Sequence, residues 1–254
     1  EELGAACVPG PLVWSLLAAG IVDGAADGSV IVGGIAWPTD DEPTVVEFPE
    51  NLDALLVVDG EGIFRTAVPN TIPSTWPLDP LTPVGLAAQL TRGDQIGSGS
   101  AARSLELGGA LASAAFGVGL ARRCTDMSVA YAMDRRQFDR PIASFQAIKH
   151  ICADMAVRVE MARNAVHTAA VIMDEVGEGD PVRAISTAKL LGGEAAVLNG
   201  RAATQVHGGM GFTWEVDVHL YLKRAWVLET QFGSGEAHAD AIASSLVGAA
   251  TWAK

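Results

Sequence analysis

The sequence is poor in cysteine, in lysine and in positive charge generally, and each shortage closes a class of function. Cys7, Cys124 and Cys152 lie far apart, with no C-x-x-C pair and no histidine at ligand spacing. That pattern gives neither a disulfide framework nor a zinc site. No metal site is expected, and free thiols suit a reducing cytoplasm. Only 17 Lys and Arg stand against 30 Asp and Glu, a formal net charge of -13, so most of the surface repels phosphate backbones and anionic headgroups. Neither nucleic acid nor a membrane is an expected partner. No basic n-region precedes an apolar h-region, and Pro9-Gly10-Pro11 interrupts the apolar opening segment before it reaches the roughly 18 to 20 residues of a span. Internal repeats and low-complexity tracts are also missing. The chain opens at Glu1-Glu2-Leu3-Gly4 without Met, in a segment that reads as the tail of a helix, and further N-terminal residues are expected.

What is present is a globular composition, 49% hydrophobic and 19% charged over 254 residues, enough for one or two domains with a filled core. Residues 1–22 carry apolar side chains at helical spacing, Leu12, Val13, Leu16, Leu17 and Ala18 among them. Between 28 and 68 the texture shifts to short β-branched runs, Ser29-Val30-Ile31-Val32, Thr44-Val45-Val46 and Leu55-Leu56-Val57-Val58, parted by Gly, Pro, Asp and Asn. Prolines 69, 73, 77, 80 and 83 mark an extended connector. From about 101 long amphipathic patterns take over, as in Ile148, Ile151, Cys152, Met155, Val159 and Ala162. They predict four helices over 101–135, 144–177, 181–206 and 236–252, with breaks at Pro141, at Gly177 to Pro181 and at Gly208-Gly209. The expected fold class is α+β. It comprises a remnant of an N-terminal helical domain (1–22), a small β domain with its connector (23–100) and a C-terminal four-helix bundle (101–254).

Three stretches of the helical half are unusual for a plain bundle. They are Arg135-Arg136-Gln137-Phe138-Asp139-Arg140-Pro141-Ile142 running on to Ser144-Phe145-Gln146, then Gln205-Val206-His207-Gly208-Gly209-Met210-Gly211-Phe212, and Thr230-Gln231-Phe232-Gly233-Ser234-Gly235. A guanidinium suits a diphosphate, amide side chains suit a purine edge, and a Gly-Gly-x-Gly turn lets backbone amides approach phosphate oxygens. Taken singly, each feature has a plainer reading: a helical Arg usually makes a surface ion pair, and a Gly-Gly turn usually just stops a helix.

Together, R-x-Q-F-x-x-P-I-x-x-F-Q and a Q-x-x-G-G-x-G-F about sixty residues later resemble the C-terminal domain of the acyl-CoA dehydrogenases. The resemblance covers about 100–254 well, the β region loosely and the family's N-terminal helical domain not at all. It implies FAD as cofactor and an acyl-CoA as substrate, with an electron-transferring flavoprotein as acceptor. In that family these motifs reach across a subunit interface to the ADP portion of a neighbour's FAD. Carried over, Arg135 is the pyrophosphate ligand with Gln137 and Phe138 beside it, and Gln146, Gln205, Gly208 and Gly209 line the adenosine and diphosphate.

Two departures change the expected role. The family's usual Glu, which takes the α-proton, falls at Phe232, followed by Gly233 and Ser234; its alternative seat on the first bundle helix falls at Gly109 or Ala110. A thioester α-proton needs a positioned carboxylate, and neither seat holds one. The ring-binding pattern of the β domain is reduced to Gly28-Ser29 and Trp37-Pro38-Thr39. This combination resembles the base-lacking subunit of the heteromeric α2β2 steroid-CoA dehydrogenases of actinobacteria. A partner chain carrying the catalytic Glu is then implied. Glu106, Glu215, Asp217, Glu229 and Glu236 are the remaining candidate bases, with Glu106 and Glu236 within about one helical turn of the empty seats. His207, His219 and His238 read as interface or surface residues, and Phe212, Trp214 and Tyr221 as core or interface aromatics. The alternatives are a self-sufficient homo-oligomeric dehydrogenase with a relocated base, and an inert packing or regulatory subunit.

Overall fold

The computed structural model describes residues 1–36, 43–174 and 179–249. Two compact units divide the chain: Pro9–Gly109, and Glu1–Val8 together with Ala110–Lys254. Trp37-Pro38-Thr39 and the start of the Gly177 break lie outside the described residues.

The first segment forms α1 (Glu2–Ala5) and, after Pro11, α2 (Leu12–Ala18). The strands follow in chain order: β1 (Val32–Ala36), β2 (Thr44–Glu47), β3 (Ala54–Asp59), β4 (Gly62–Thr66), β5 (Ile72–Pro73), β6 (Val84–Ala87) and β7 (Asp94–Ser98). They make a four-stranded sheet in the order β1-β3-β4-β7 and a three-stranded sheet in the order β2-β6-β5. β1 pairs with β3 in parallel and the other pairs are antiparallel. β3, Ala-Leu-Leu-Val-Val-Asp, is buried along its apolar length, as a strand covered on both faces must be. Val46, Leu55 and Ala87 form a core cluster joined by Ile35, Leu52 and Leu90. The β-branched runs give β2 and β3, but they place the first strand a few residues early and miss β4, β5, β6 and β7. Gly-Ile-Phe-Arg-Thr, Val-Gly-Leu-Ala and Asp-Gln-Ile-Gly-Ser are short and glycine-bearing, and are paired by tertiary context more than by propensity.

The helical half holds α3 (Gly99–Asp134), α4 (Gln146–Asp174), α5 (Pro181–His207), α6 (Val218–Thr230) and α7 (Gly235–Ala249). The α+β class is as expected, but the helical half holds one helix more than the apolar periodicity gave. α6 escaped because its buried set includes His219 and Arg224 beside Val218, Tyr221, Leu222 and Ala225, which blurs the apolar stripe. α5 opens on Asp180, whose carboxylate accepts from the Arg183 amide at 3.1 Å, with Pro181 at the first helical position. Among the described residues, α3 alone is long and apolar enough to cross a membrane, and most of its apolar stretch is buried within the fold.

Asn199 of α5 ties three helices: its amide donates to the Met155 carbonyl at 2.9 Å and to Thr125 Oγ1 at 3.2 Å. α1 lies directly against α3, where a Cβ at Gly4 would meet the Phe116 carbonyl at 2.1 Å and one at Gly119 the Glu1 carbonyl at 2.0 Å. Only glycine permits that approach. Arg122 grips Glu2 with two 2.9 Å bonds, Tyr221 donates to the Ala5 carbonyl at 3.0 Å, and Arg224 to the Val8 carbonyl at 3.0 Å.

Candidate functional site

Two of the three unusual stretches leave the helical unit at one end. Tyr131, in the last turn of α3, stacks on His207, the last residue of α5, with ring centroids 4.2 Å apart. Arg135 follows Tyr131 by one turn, its amide donating to the Tyr131 carbonyl at 2.8 Å, and Gly208 follows His207 directly. Residues seventy apart in sequence are thereby gathered.

After Arg135 the chain makes a two-residue hairpin, β8 (Arg136–Gln137) pairing antiparallel with β9 (Arg140–Pro141). Phe138 and Asp139 at its tip have φ of 53° and 62°, the left-handed pair of a type I′ turn. A bulky ring rarely accepts that backbone. Arg136 donates to the Asp139 carbonyl at 2.8 Å, and the Arg140 guanidinium lies 4.2 Å from the Phe145 ring centroid. A short 3-10 turn over Ile142–Ser144 then delivers Gln146 as the first residue of α4.

On the other side, Gly208 has φ 60° and ψ -138°, a conformation essentially confined to glycine. A Cβ at Gly208 or Gly209 would meet nothing within 4 Å, so both glycines border open space, while the Gly208 amide donates to the Gln205 carbonyl. Gly211, by contrast, packs on Thr204, where an added Cβ would lie 2.7 Å from the carbonyl. Arg135, Gln137, Phe138, Gln146, Gln205, Gly208 and Gly209 are all exposed, and Arg135 makes no ion pair with the described residues. An exposed guanidinium and a glycine turn open to close approach, carried by segments that leave one end of the unit, suit the double negative charge of a dinucleotide diphosphate.

The third stretch is built the opposite way. Phe232, between α6 and α7, is only 9% exposed and sits at φ 56° before Gly233 at 101°. Its carbonyl accepts from His238 Nε2 at 2.9 Å, and His238 Nδ1 lies 3.1 Å from Ser186 Oγ. The donor role of Nε2 fixes the neutral tautomer, with Nδ1 accepting from Ser186. Burial holds His238 below the usual histidine range. Lys189, 4% exposed, donates to the Leu228 carbonyl at 2.9 Å and the Glu229 carbonyl at 3.1 Å, closing the C-terminal end of α6. Burial pulls its pKa down to about 8. Gly109 and Ala110 are buried in α3, Glu106 is half-buried there, and Glu215, Asp217, Glu229 and Glu236 are exposed.

The structure corrects the reading of the histidines: His207, His219 and His238 are all buried, none lying on the surface. Phe212 and Trp214 are exposed, whereas Tyr221 belongs to the core. Sequence reasoning passed over Lys189 and Ser186. Lys189 lay in view, since it falls on the apolar stripe of α5 with Ile185, Gly192 and Ala196, where a lysine must find carbonyls.

Residues 97–247 match the model of the acyl-CoA dehydrogenase C-terminal domain. Acyl-CoA dehydrogenase IpdE2 of Mycolicibacterium smegmatis is 36% identical over 243 residues, 89% of this chain and 70% of that protein. Acyl-CoA dehydrogenase FadE34 of Mycobacterium tuberculosis is 46% identical over 112 residues, 44% of this chain but 16% of the relative. The ChsE4-ChsE5 complex from Mycobacterium tuberculosis superposes with a TM-score of 0.81 at 25% identity, over 96% of this chain and 78% of the other. A variant of the Tcur3481-Tcur3483 steroid ACAD has the same fold, with a TM-score of 0.82 at 20% identity, covering 98% and 79%. By its fold, its paired motifs and these relatives, the chain belongs to the acyl-CoA dehydrogenase family, whose cofactor is FAD.

Proposed function

We propose that the chain is the subunit of a heteromeric acyl-CoA dehydrogenase that donates the ADP-binding half of an FAD site to a partner chain carrying the catalytic Glu. The reaction is α,β-desaturation of an acyl-CoA thioester. The α-proton passes to the partner's carboxylate and the β-hydride to the flavin, leaving a carbon-carbon double bond. A steroid side-chain CoA is the proposed substrate class, in keeping with the Tcur3481-Tcur3483 steroid ACAD that shares the fold, and an electron-transferring flavoprotein is the proposed acceptor. Arg135 would hold the diphosphate, the Gly208-Gly209 turn would line it, and Gln137, Phe138, Gln146 and Gln205 would flank the nucleoside.

One contrast carries this reading: the arginine-glycine end is open and unpaired, while the seat of the base is filled by buried Phe232. A phenyl ring accepts no proton, and neither Gly109 nor Ala110 supplies a carboxylate in the other seat.

The test is the flavin spectrum of the purified chain, alone and co-purified with a co-encoded dehydrogenase chain that has a Glu-Gly-Thr before its last helix. Flavin in the pair only, with acyl-CoA-dependent bleaching, is the expected result. Stoichiometric flavin and bleaching in the single chain would favour a self-sufficient enzyme using Glu106 or Glu236. A colourless pair would favour an inert packing subunit.

A further inference from the structure

We propose that Lys189 is a nucleophilic amine bordering a groove along α5, and that it captures apolar aldehydes there as a Schiff base. Neither of the exposed motif segments around Arg135 and Gly208 lines this groove, and the desaturation proposed above calls on no amine.

The position is set by the sequence. Lys189 falls on the buried stripe of α5 between Ile185 and Gly192, so its stem lies in the core and the residue is only 4% exposed. An amine in that place must find carbonyls, and Nζ donates to those of Leu228 and Glu229 at 2.9 and 3.1 Å. Among the described residues no ion pair holds it as an ammonium. A neutral amine still has two N–H bonds to give, so both contacts survive loss of the third proton. The lone pair then takes the remaining tetrahedral position.

Lys189 lines a groove of about 300 Å³, whose wall includes Leu190, Val197 and Leu198 of α5. A space of that size, at the small end of ligand pockets, suits a short apolar chain. The charged groups around it are Glu194 and Arg201 of α5 and Glu229 of α6, and His238 of α7 feels the charge of Lys189.

Desolvation favours the form that attacks. Burial pulls Lys189 to about 8, with the Glu229 carboxylate opposing the shift. At pH 8 about half of it is then neutral, against roughly 0.3% of an ordinary lysine. A desolvated lysine beside an apolar wall is the usual setting for Schiff-base chemistry. The step needs no oxidant. The Nζ lone pair forms a bond to the aldehyde carbon, and the carbonyl oxygen takes a proton to give a carbinolamine. That hydroxyl leaves as water with a second proton, and a carbon-nitrogen double bond remains.

The test incubates the full chain with hexanal and cyanoborohydride at pH 7.5, the hydride fixing any imine as an alkylamine, and maps the labelled peptides by mass. Lys149 and Lys223 are the internal reference. Lys189 should be alkylated at least tenfold faster than either, with a rate that saturates in hexanal, and unfolding in guanidinium should erase the preference. Gly193 lines the groove and has nothing within 4 Å of an added Cβ, so Gly193→Leu should fill the space, slow Lys189 tenfold or more and leave the melting temperature unchanged. Alkylation of Lys189 no faster than that of Lys149 and Lys223 makes it a structural cap of α6 and overturns the proposal. So does a rate that stays linear in hexanal, or one that Gly193→Leu leaves as in wild type.

Discussion

The end of the helical unit around Arg135 and Gly208 differs from the Phe232 turn in almost every physical respect. At the first, side chains that could bond are exposed and the two glycines border open space. At the second, the backbone carbonyl is held by His238, the preceding helix is closed by Lys189, and the ring is buried. The first region leaves the Arg135 side chain exposed and without an ion pair among the described residues. The second holds its backbone carbonyls with donors from within the unit. The difference teaches that two unusual stretches of one unit can part company, one left exposed and the other consolidated as packing.

The sharpest way to break this comparison is to reopen the closed turn. Phe232→Glu places a carboxylate in an apolar seat and should destabilise the fold by about 3 to 5 kcal/mol, or remain protonated. A base acts only within about 3 to 3.5 Å of a correctly held carbon, so the variant should show no flavin-dependent α-proton exchange on acyl-CoA in deuterium oxide. Exchange above the wild-type level would mean that the chain keeps a complete site.

The buried lysine gives the next largest effect. The Lys189 pKa is pulled from 10.5 to about 8 by burial, so between those values the unfolded chain binds the extra proton. The fold should therefore gain stability as pH rises from about 8 towards 10.5, by roughly 3 kcal/mol at most. Denaturant titrations at pH 7.5 and 9.5 should show the rise in wild type, and Lys189→Met should flatten it.

At the open end, Arg135→Ala should lower flavin affinity in the assembled enzyme by tenfold or more, the loss of a charge-assisted contact of about 1.5 to 3 kcal/mol. The melting temperature should hardly move, because an exposed side chain without an ion pair contributes about 0 to 1 kcal/mol to the fold. Equal losses of flavin and stability would erase the distinction between the two regions.

The smallest effect concerns acid. Burial lowers the pKa of His238 below its ordinary 6.5, so its contribution is complete above about pH 6.5 and is lost as pH falls through the lowered value. His238→Asn keeps a donor for the Phe232 carbonyl without a titrating ring. It should make the acid limb of the stability profile shallower by about 1 kcal/mol; an unchanged limb would put the acid sensitivity elsewhere.

Much of this was legible in the residues themselves. α4 and α5 were bounded to within about three residues by Pro141 and by Asp180-Pro181, because capping and proline chemistry are local. β2 and β3 were visible as β-branched runs, and the motif spacing gave the family without any coordinates. The fifth helix was not legible, because α6 hides its polar residues through long-range partners such as the Val8 carbonyl that Arg224 reaches.

Sequence alone thus determined which groups are available: the Arg135 guanidinium, the glycines at 208 and 209, and a phenyl ring where a carboxylate is usual. Only the tertiary structure decided which of them are gathered and which are sealed. The Tyr131–His207 stack brings two distant motifs to one end, and Lys189, distant from Leu228 in sequence and hidden on an apolar stripe, together with Ser186, distant from the His238 it meets, locks the other. Exposure and hydrogen-bond satisfaction are sums over neighbours from the whole unit, and local pattern does not contain them.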